Sequence, residues 1–292
     1  MKPILSRILA AALFIAATGV AAGEAQAPAK ILYFTKSTRF QHSVIAQKDG
    51  AKSFSEKILD ELGAKNNFTI VTTKDGGAIN AANLAKYDAI MFYTSGDLTL
   101  EKSVDGSAPM SAEGKADLIE AVKKGKPFIC VHNALKTFDS SKTLDPYVEM
   151  LGGIGIGHGA QQMGKNTCVD LKFPGCADLK DGIQIVEEWY SNKDFAPDIH
   201  VLLVQDPVGM KEPIYKRPAY PASWARMYGK GRVFVTGLGH REDVWTNPAF
   251  QNLLVGGIQW SLGRVEADIT PNLKEVTPQY AELPPAAPAK TK

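Results

Sequence analysis

The chain is short of the residues that carry most site chemistry. Of 292 residues, three are cysteine and five are histidine. It also lacks an excess of charge: 33 Lys and Arg stand against 31 Asp and Glu, with no run of one sign. Without a basic stripe, nucleic acid and anionic membrane are excluded as expected partners. Long hydrophobic runs are missing beyond the N-terminus. The run from Ile8 to Ala22 follows Lys2 and Arg7, and it is shorter than the ~20 apolar residues a spanning helix needs. That pattern predicts a secretory signal over residues 1–22. Small residues continue to Ala29, so the cut could fall as late as residue 29; cleavage after Ala22 or Ala25 is preferred. No cysteine follows the run, so no lipid anchor is expected. The mature chain is expected to be exported, periplasmic or secreted, and free of the membrane. Nothing in the sequence sets an oligomeric state.

What is present fits one large α/β domain. Hydrophobic residues make up 45% of the chain, ample for a core in a domain of this size. Lys30–Thr35, Phe68–Thr73, Asp88–Thr94 and Pro127–Val131 read as apolar strands buried on both faces. Helices are expected between them: one capped by Ser43, with Phe54, Ile58 and Leu62 on one face and a stop at Gly63, and one opened by Ser111 and stopped at Gly125. This alternation predicts a doubly wound, mostly parallel sheet. Asp145-Pro146 starts a short helix ending at Gly152-Gly153. Shorter strands follow at Thr167–Phe173, Gln184–Tyr190 and His200–Gln205. Trp224–Tyr228 and Arg232–Thr236 form a hairpin turning at Gly229-Lys230-Gly231. Asn247-Pro248 opens the last helix, to Gly263. The domain therefore spans 30–263, and the Pro/Ala-rich tail 264–292 reads as extended or disordered.

The cysteines offer little. Cys130 lies inside an apolar strand and reads as packing. Cys168 and Cys176 flank Pro174-Gly175, so a local disulfide and two separate thiols are both open. The segment Gly155-Ile156-Gly157-His158-Gly159-Ala160 matches the spacing of a dinucleotide fingerprint but does not follow the first strand of a βαβ unit. It is read as a flexible glycine loop, and no NAD or nucleotide is expected.

Four histidines fall where strands or helices give way to loops: His42, His132, His158 and His240. Strand ends are where α/β folds assemble sites. Imidazole is both a common metal ligand and a proton carrier near neutral pH. His132 occupies the turn that a nucleophile elbow would use, with Cys130 two residues too early, which removes cysteine acyl transfer.

The order Thr38-Arg39-Phe40-Gln41-His42, Val131-His132-Asn133-Ala134, Gly152-Gly153 with His158, Glu187-Glu188-Trp189-Tyr190, Pro221-Ala222-Ser223-Trp224, and Gly237-Leu238-Gly239-His240 with Trp245 resembles the ThuA-like family. That family is named for trehalose utilisation and belongs to the class I glutamine amidotransferase-like superfamily. The resemblance covers roughly Lys30 to Gly263. One departure is Gln41, which stands where an arginine beside the histidine is usual. The resemblance implies a flavodoxin-like sheet without the amidotransferase triad. It also implies action on a carbohydrate, a keto-sugar or disaccharide derivative.

The residues and the resemblance together suggest a candidate site. His42, His132, His240 and Glu188 are the candidate catalytic residues. Arg39, Phe40, Asn133, His158, Tyr190 and Trp224 are the candidate substrate contacts, with Trp189 and Trp245 as further apolar platforms. His42, His132 and His240 suit a zinc-like ion with an open position. Without a metal, a His/Glu pair could move a proton beside a carbonyl. Glu187 and Glu188 are adjacent on a strand and point to opposite faces, so only one, Glu188, is assigned to the pocket. Rival readings are a sugar-binding module without turnover and a hydrolase using Cys130.

Overall fold

The computed structural model describes residues 27–139 and 143–285. The expected signal segment and residues 286–292 of the tail lie outside the described residues.

Strands β1 (Ala29–Phe34), β2 (Phe68–Thr73), β3 (Ala89–Phe92) and β4 (Phe128–Val131) alternate with helices α1 (Phe54–Asn66), α2 (Ala81–Leu84) and α3 (Ala112–Lys123). Helix α4 (Pro146–Leu151) leads into β5 (Ile154–His158), β6 (Gln162–Cys168), β7 (Ile183–Glu187), β8 (Tyr190–Lys193) and β9 (His200–Asp206). The hairpin of β10 (Tyr220–Tyr228) and β11 (Gly231–Thr236) follows, then α5 (Glu242–Trp245), α6 (Pro248–Ser261) and α7 (Leu273–Val276).

Nine strands form one sheet in the order β2-β1-β3-β4-β11-β10-β9-β6-β7, and β5 pairs with β8 apart from it. The half from β2 to β11 is parallel, in a doubly wound order; the half from β11 to β7 is antiparallel. Alternation along β1 shows why its run is apolar throughout. Ile31 and Tyr33 join the core under α1 and α6, while Leu32 and Phe34 join the core under α3. The fold is thus the α/β sandwich the strand pattern predicts, with a mixed sheet whose parallel core carries the helices.

Several local expectations are corrected. Ser53, not Ser43, caps α1: its hydroxyl accepts from the Glu56 amide, and the Glu56 carboxylate accepts from the Ser53 amide. Ser43 opens a single 3-10 turn instead. Helix α1 runs past Gly63 and ends at Asn67, which takes the left-handed conformation at φ 56°. The glycine segment 154–158 is not a loop but strand β5. The stretch read as one strand over 184–190 is two, broken at Glu188-Trp189. Cys168 and Cys176 are free thiols.

The tail also takes a definite course as far as residue 285. His200 Nδ1 bonds to the Thr270 carbonyl at 2.6 Å. Asn272 exchanges two bonds with Val201. Arg217 donates to the Tyr280 carbonyl. Residues 270–272 are thus tied to β9, and Tyr280 to Arg217.

Candidate active site

Parallel strands of one sheet present their carboxyl ends at one edge, and the loops that leave β1, β4 and β11 carry His42, His132 and His240. The three rings meet there. Their centroids lie 4.9 Å (His42–His132), 4.8 Å (His42–His240) and 5.3 Å (His132–His240) apart, all edge to face. Glu188 reaches the same point from the break between β7 and β8. Its Oε2 lies 3.2 Å from His240 Nδ1, 3.5 Å from His132 Nε2 and 3.9 Å from His42 Nε2. His158, at the end of β5, approaches the other oxygen, Oε1, at 3.3 Å. One carboxylate thus sits among four imidazoles.

The backbone holds this cluster in a conformation it would not choose alone. His132 has φ 48°, in the left-handed region, on the turn from β4 into a 3-10 segment. A non-glycine residue there costs of order 1–3 kcal/mol and persists only when its surroundings fix it. Part of that fixing is the bond from Nδ1 to the Gly237 carbonyl, 2.8 Å. Because a carbonyl only accepts, the ring proton sits on Nδ1, and Nε2 turns its lone pair toward Glu188. The loop bearing His240 is fixed from behind by Glu187, which sequence reasoning set aside. Glu187 Oε1 accepts from the Gly239 amide at 3.1 Å and the His240 amide at 2.6 Å.

Burial sets the charges. It pushes the His132 imidazole down to about 3 and lowers that of His42. It pushes Glu187 up to about 8, against the pull of the His240 and Gly239 amides. Burial alone would also raise Glu188, but His132, His240 and His42 outweigh it and hold that carboxyl well below the usual range. Burial thus favours a neutral His132, while the surrounding imidazoles favour an ionised Glu188.

A cavity of about 450 Å³ opens over the cluster, with His42, Glu188 and His158 in its wall. Arg39, Phe40, Asn133 and Tyr190 line it too, so five of the six expected substrate contacts reach it. The Phe40 ring is 59% exposed and stands edge-on to His42 at 4.9 Å. Tyr190 donates its hydroxyl to Asn133 Oδ1 at 2.8 Å. Lys136 also lines the cavity; both it and Arg39 pair with Asp139. No sequence motif singled Lys136 out; its place in the turn after His132 was the available signal. A larger opening, about 670 Å³ around Asp145 and Arg226, contains none of the histidines.

The sixth contact is corrected. Trp224 is fully buried, and its indole N–H donates to the Leu151 carbonyl at 2.7 Å. Trp189 and Trp245 are likewise buried, donating to the carbonyls of Gln162 and Gly239. None of the three forms a sugar platform. Cys130 is fully buried, and burial pushes its thiol up, so it is no nucleophile.

The ThuA family model, described as trehalose utilisation, matches residues 30–261. The chain belongs to the ThuA family. Solved ThuA-like relatives show the same fold. One from Bacteroides uniformis superposes with a TM-score of 0.63 at 18% identity, covering 83% of this chain and 95% of its own. Another, from Parabacteroides merdae, gives 0.58 at 17%, covering 86% and 96%. No curated protein matches the chain.

Proposed function

We propose that this ThuA-family protein is a carbohydrate-acting enzyme whose histidine cluster holds a zinc-like divalent ion. One observation carries the metal reading. His132 Nε2, a lone pair with no hydrogen-bond partner, faces the ionised Glu188 Oε2 at 3.5 Å. Two acceptors turned toward each other in a buried site repel unless a cation lies between them. Burial disfavours a proton on His132, which favours a metal ion over an imidazolium as the cation at this point. One donor atom from each of His42, His132, Glu188 and His240 lies within 4.8 Å of the others. Zinc bonded at 2.0–2.1 Å spaces its donors by roughly 3.3 Å, so modest side-chain rotations close the set.

Such an ion would polarise a sugar carbonyl or acidify water. The rest falls to the chain's own groups. Phe40 and Tyr190 offer apolar faces to sugar C–H groups, and Asn133, Arg39 and Lys136 offer polar contacts to hydroxyls. His158 stands at the rim beside Glu188 Oε1, placed to carry a proton between substrate and solvent. Proton removal beside a carbonyl is what isomerisation or elimination of a keto-sugar requires; water attack would give hydrolysis. The carbohydrate class rests on the family's description.

The test is metal content by mass spectrometry, wild type beside His42→Ala, His132→Ala and His240→Ala. Near-stoichiometric divalent metal in the wild type, lost in the variants, is expected. An empty wild type after divalent ions are added back would end the metal reading and leave proton transfer or passive sugar binding, which turnover assays separate. The N-terminal run also leads us to propose export, for which a mature N-terminus just after Ala22 or Ala25 is the check.

A further inference from the structure

Gln161 lies in the turn between β5 and β6, away from every motif that drew attention to the site. Its amide bridges two neighbours. Arg241 Nη1 donates to Gln161 Oε1 at 2.7 Å, and Gln161 Nε2 lies 2.8 Å from His240 Nε2. Arginine has no acceptor, so the oxygen of the amide must face Arg241 and its NH₂ must face the histidine. Arg241 is itself held by two bonds to Asp243, at 2.8 and 2.9 Å. The turn is pinned on its other side: the Gly159 amide donates to the Tyr215 hydroxyl, and Gln162 donates to Glu212. These contacts together orient the amide with its oxygen toward Arg241.

We infer that Gln161 is a positioning residue that fixes the tautomer of His240, holding the ring proton on Nδ1. With Nε2 accepting from Gln161, the neutral ring carries its proton on Nδ1, 3.2 Å from Glu188 Oε2. Ligation through Nδ1 needs the opposite tautomer, in which Nε2–H and the Gln161 NH₂ would meet donor to donor. Metal therefore enters against the Arg241–Gln161 contact, and the amide must turn over as it binds. The consequence for metal rests on the function proposed above; the tautomer does not.

Long-range ¹H–¹⁵N NMR of the metal-free protein reads the tautomer directly, with the His240→Asn variant assigning the signal. Wild type is expected to show His240 protonated at Nδ1. Gln161→Glu places a carboxylate between Arg241 and the ring, and should move the proton to Nε2. Zinc affinity should then rise by about ten- to a hundredfold, the range expected for groups that orient a metal ligand. Should the glutamate variant fail to fold, Gln161→Ala serves, with loss of the single-tautomer pattern expected. A wild-type ring already protonated at Nε2, or a pattern unchanged in both variants, would overturn the inference. The expected tautomers with no zinc binding in either protein would uphold Gln161's role and remove the metal reading.

Discussion

Two buried histidine settings on this sheet look alike in sequence and differ in chemistry. His200 opens β9 and sits under the C-terminal segment. Its Nδ1 meets the Thr270 carbonyl at 2.6 Å and its Nε2 meets Asp170 Oδ2 at 3.0 Å; both partners are acceptors, and a ring with both nitrogens protonated donates to each. His132 instead keeps its Nε2 buried with no hydrogen-bond partner, turned toward Glu188 Oε2 at 3.5 Å. A histidine that only holds structure satisfies both nitrogens; one built for a ligand keeps one in reserve, at a cost in stability. Unpartnered nitrogens, more than burial, separate site from scaffold here.

The sharpest way to break that comparison is to truncate one member of each setting. His132→Ala is expected to cut turnover and metal affinity more than about a hundredfold, exceeding the effect of losing a supporting group, while leaving the melting temperature near that of the wild type. His200→Ala should do the reverse. It removes two partly buried hydrogen bonds, one to a carboxylate, worth roughly 1.5–3 kcal/mol, and frees the segment around Thr270 while metal content stays unchanged. Thermal melts beside metal analysis decide it. A His132 variant that unfolds, with a His200 variant that loses metal, would reverse the assignment.

How much of this was legible in the sequence depended on whether a signal was local. The parallel strands were readable because a strand buried on both faces is apolar throughout, as in Ile31–Phe34. The edge that gathers His42, His132 and His240 followed from the rule that parallel strands present their ends together. Strand alternation allowed one of Glu187 and Glu188 in the pocket without saying which; Glu188 lies at the break between β7 and β8, and Glu187 Oε1 also stands 3.9 Å from His132 Nδ1. What period 2 could not give is which face holds the cavity when both are packed. Trp224 was therefore assigned to substrate and lies instead beneath the Leu151 carbonyl. Gln161, Lys136 and Glu187 were invisible because their roles exist only through contacts distant along the chain. The Pro/Ala composition of the tail hid His200 and Asn272, whose bonds tie it to β9.

Glu187 sharpens the comparison from the scaffold side of the site. Its folded pKa, about 8, lies above the ordinary carboxylate value because burial disfavours the charge. Its contribution to stability is therefore complete below the unfolded value and is lost as pH rises through about 8. The metal-free protein should melt progressively lower between about pH 5 and pH 8. Glu187→Gln keeps an oxygen for the Gly239 and His240 amides but has no charge to bury, so it should flatten that slope. Parallel slopes in the two proteins would remove Glu187 from the account.

The smallest effect is expected at the cavity mouth, where Phe40 combines a 59% exposed ring with an edge-to-face contact on His42. An apolar ring left in water beside a polar pocket gains by covering itself with substrate, and the C–H face of a sugar suits it. Phe40→Ala should raise KM about three- to tenfold, roughly 1 kcal/mol of lost stacking, with kcat nearly constant. Metal content should not move, because no atom of Phe40 belongs to the donor set. A fall in kcat at constant KM would mean that the ring acts through His42 on the cluster itself, and the division between mouth and floor would no longer hold.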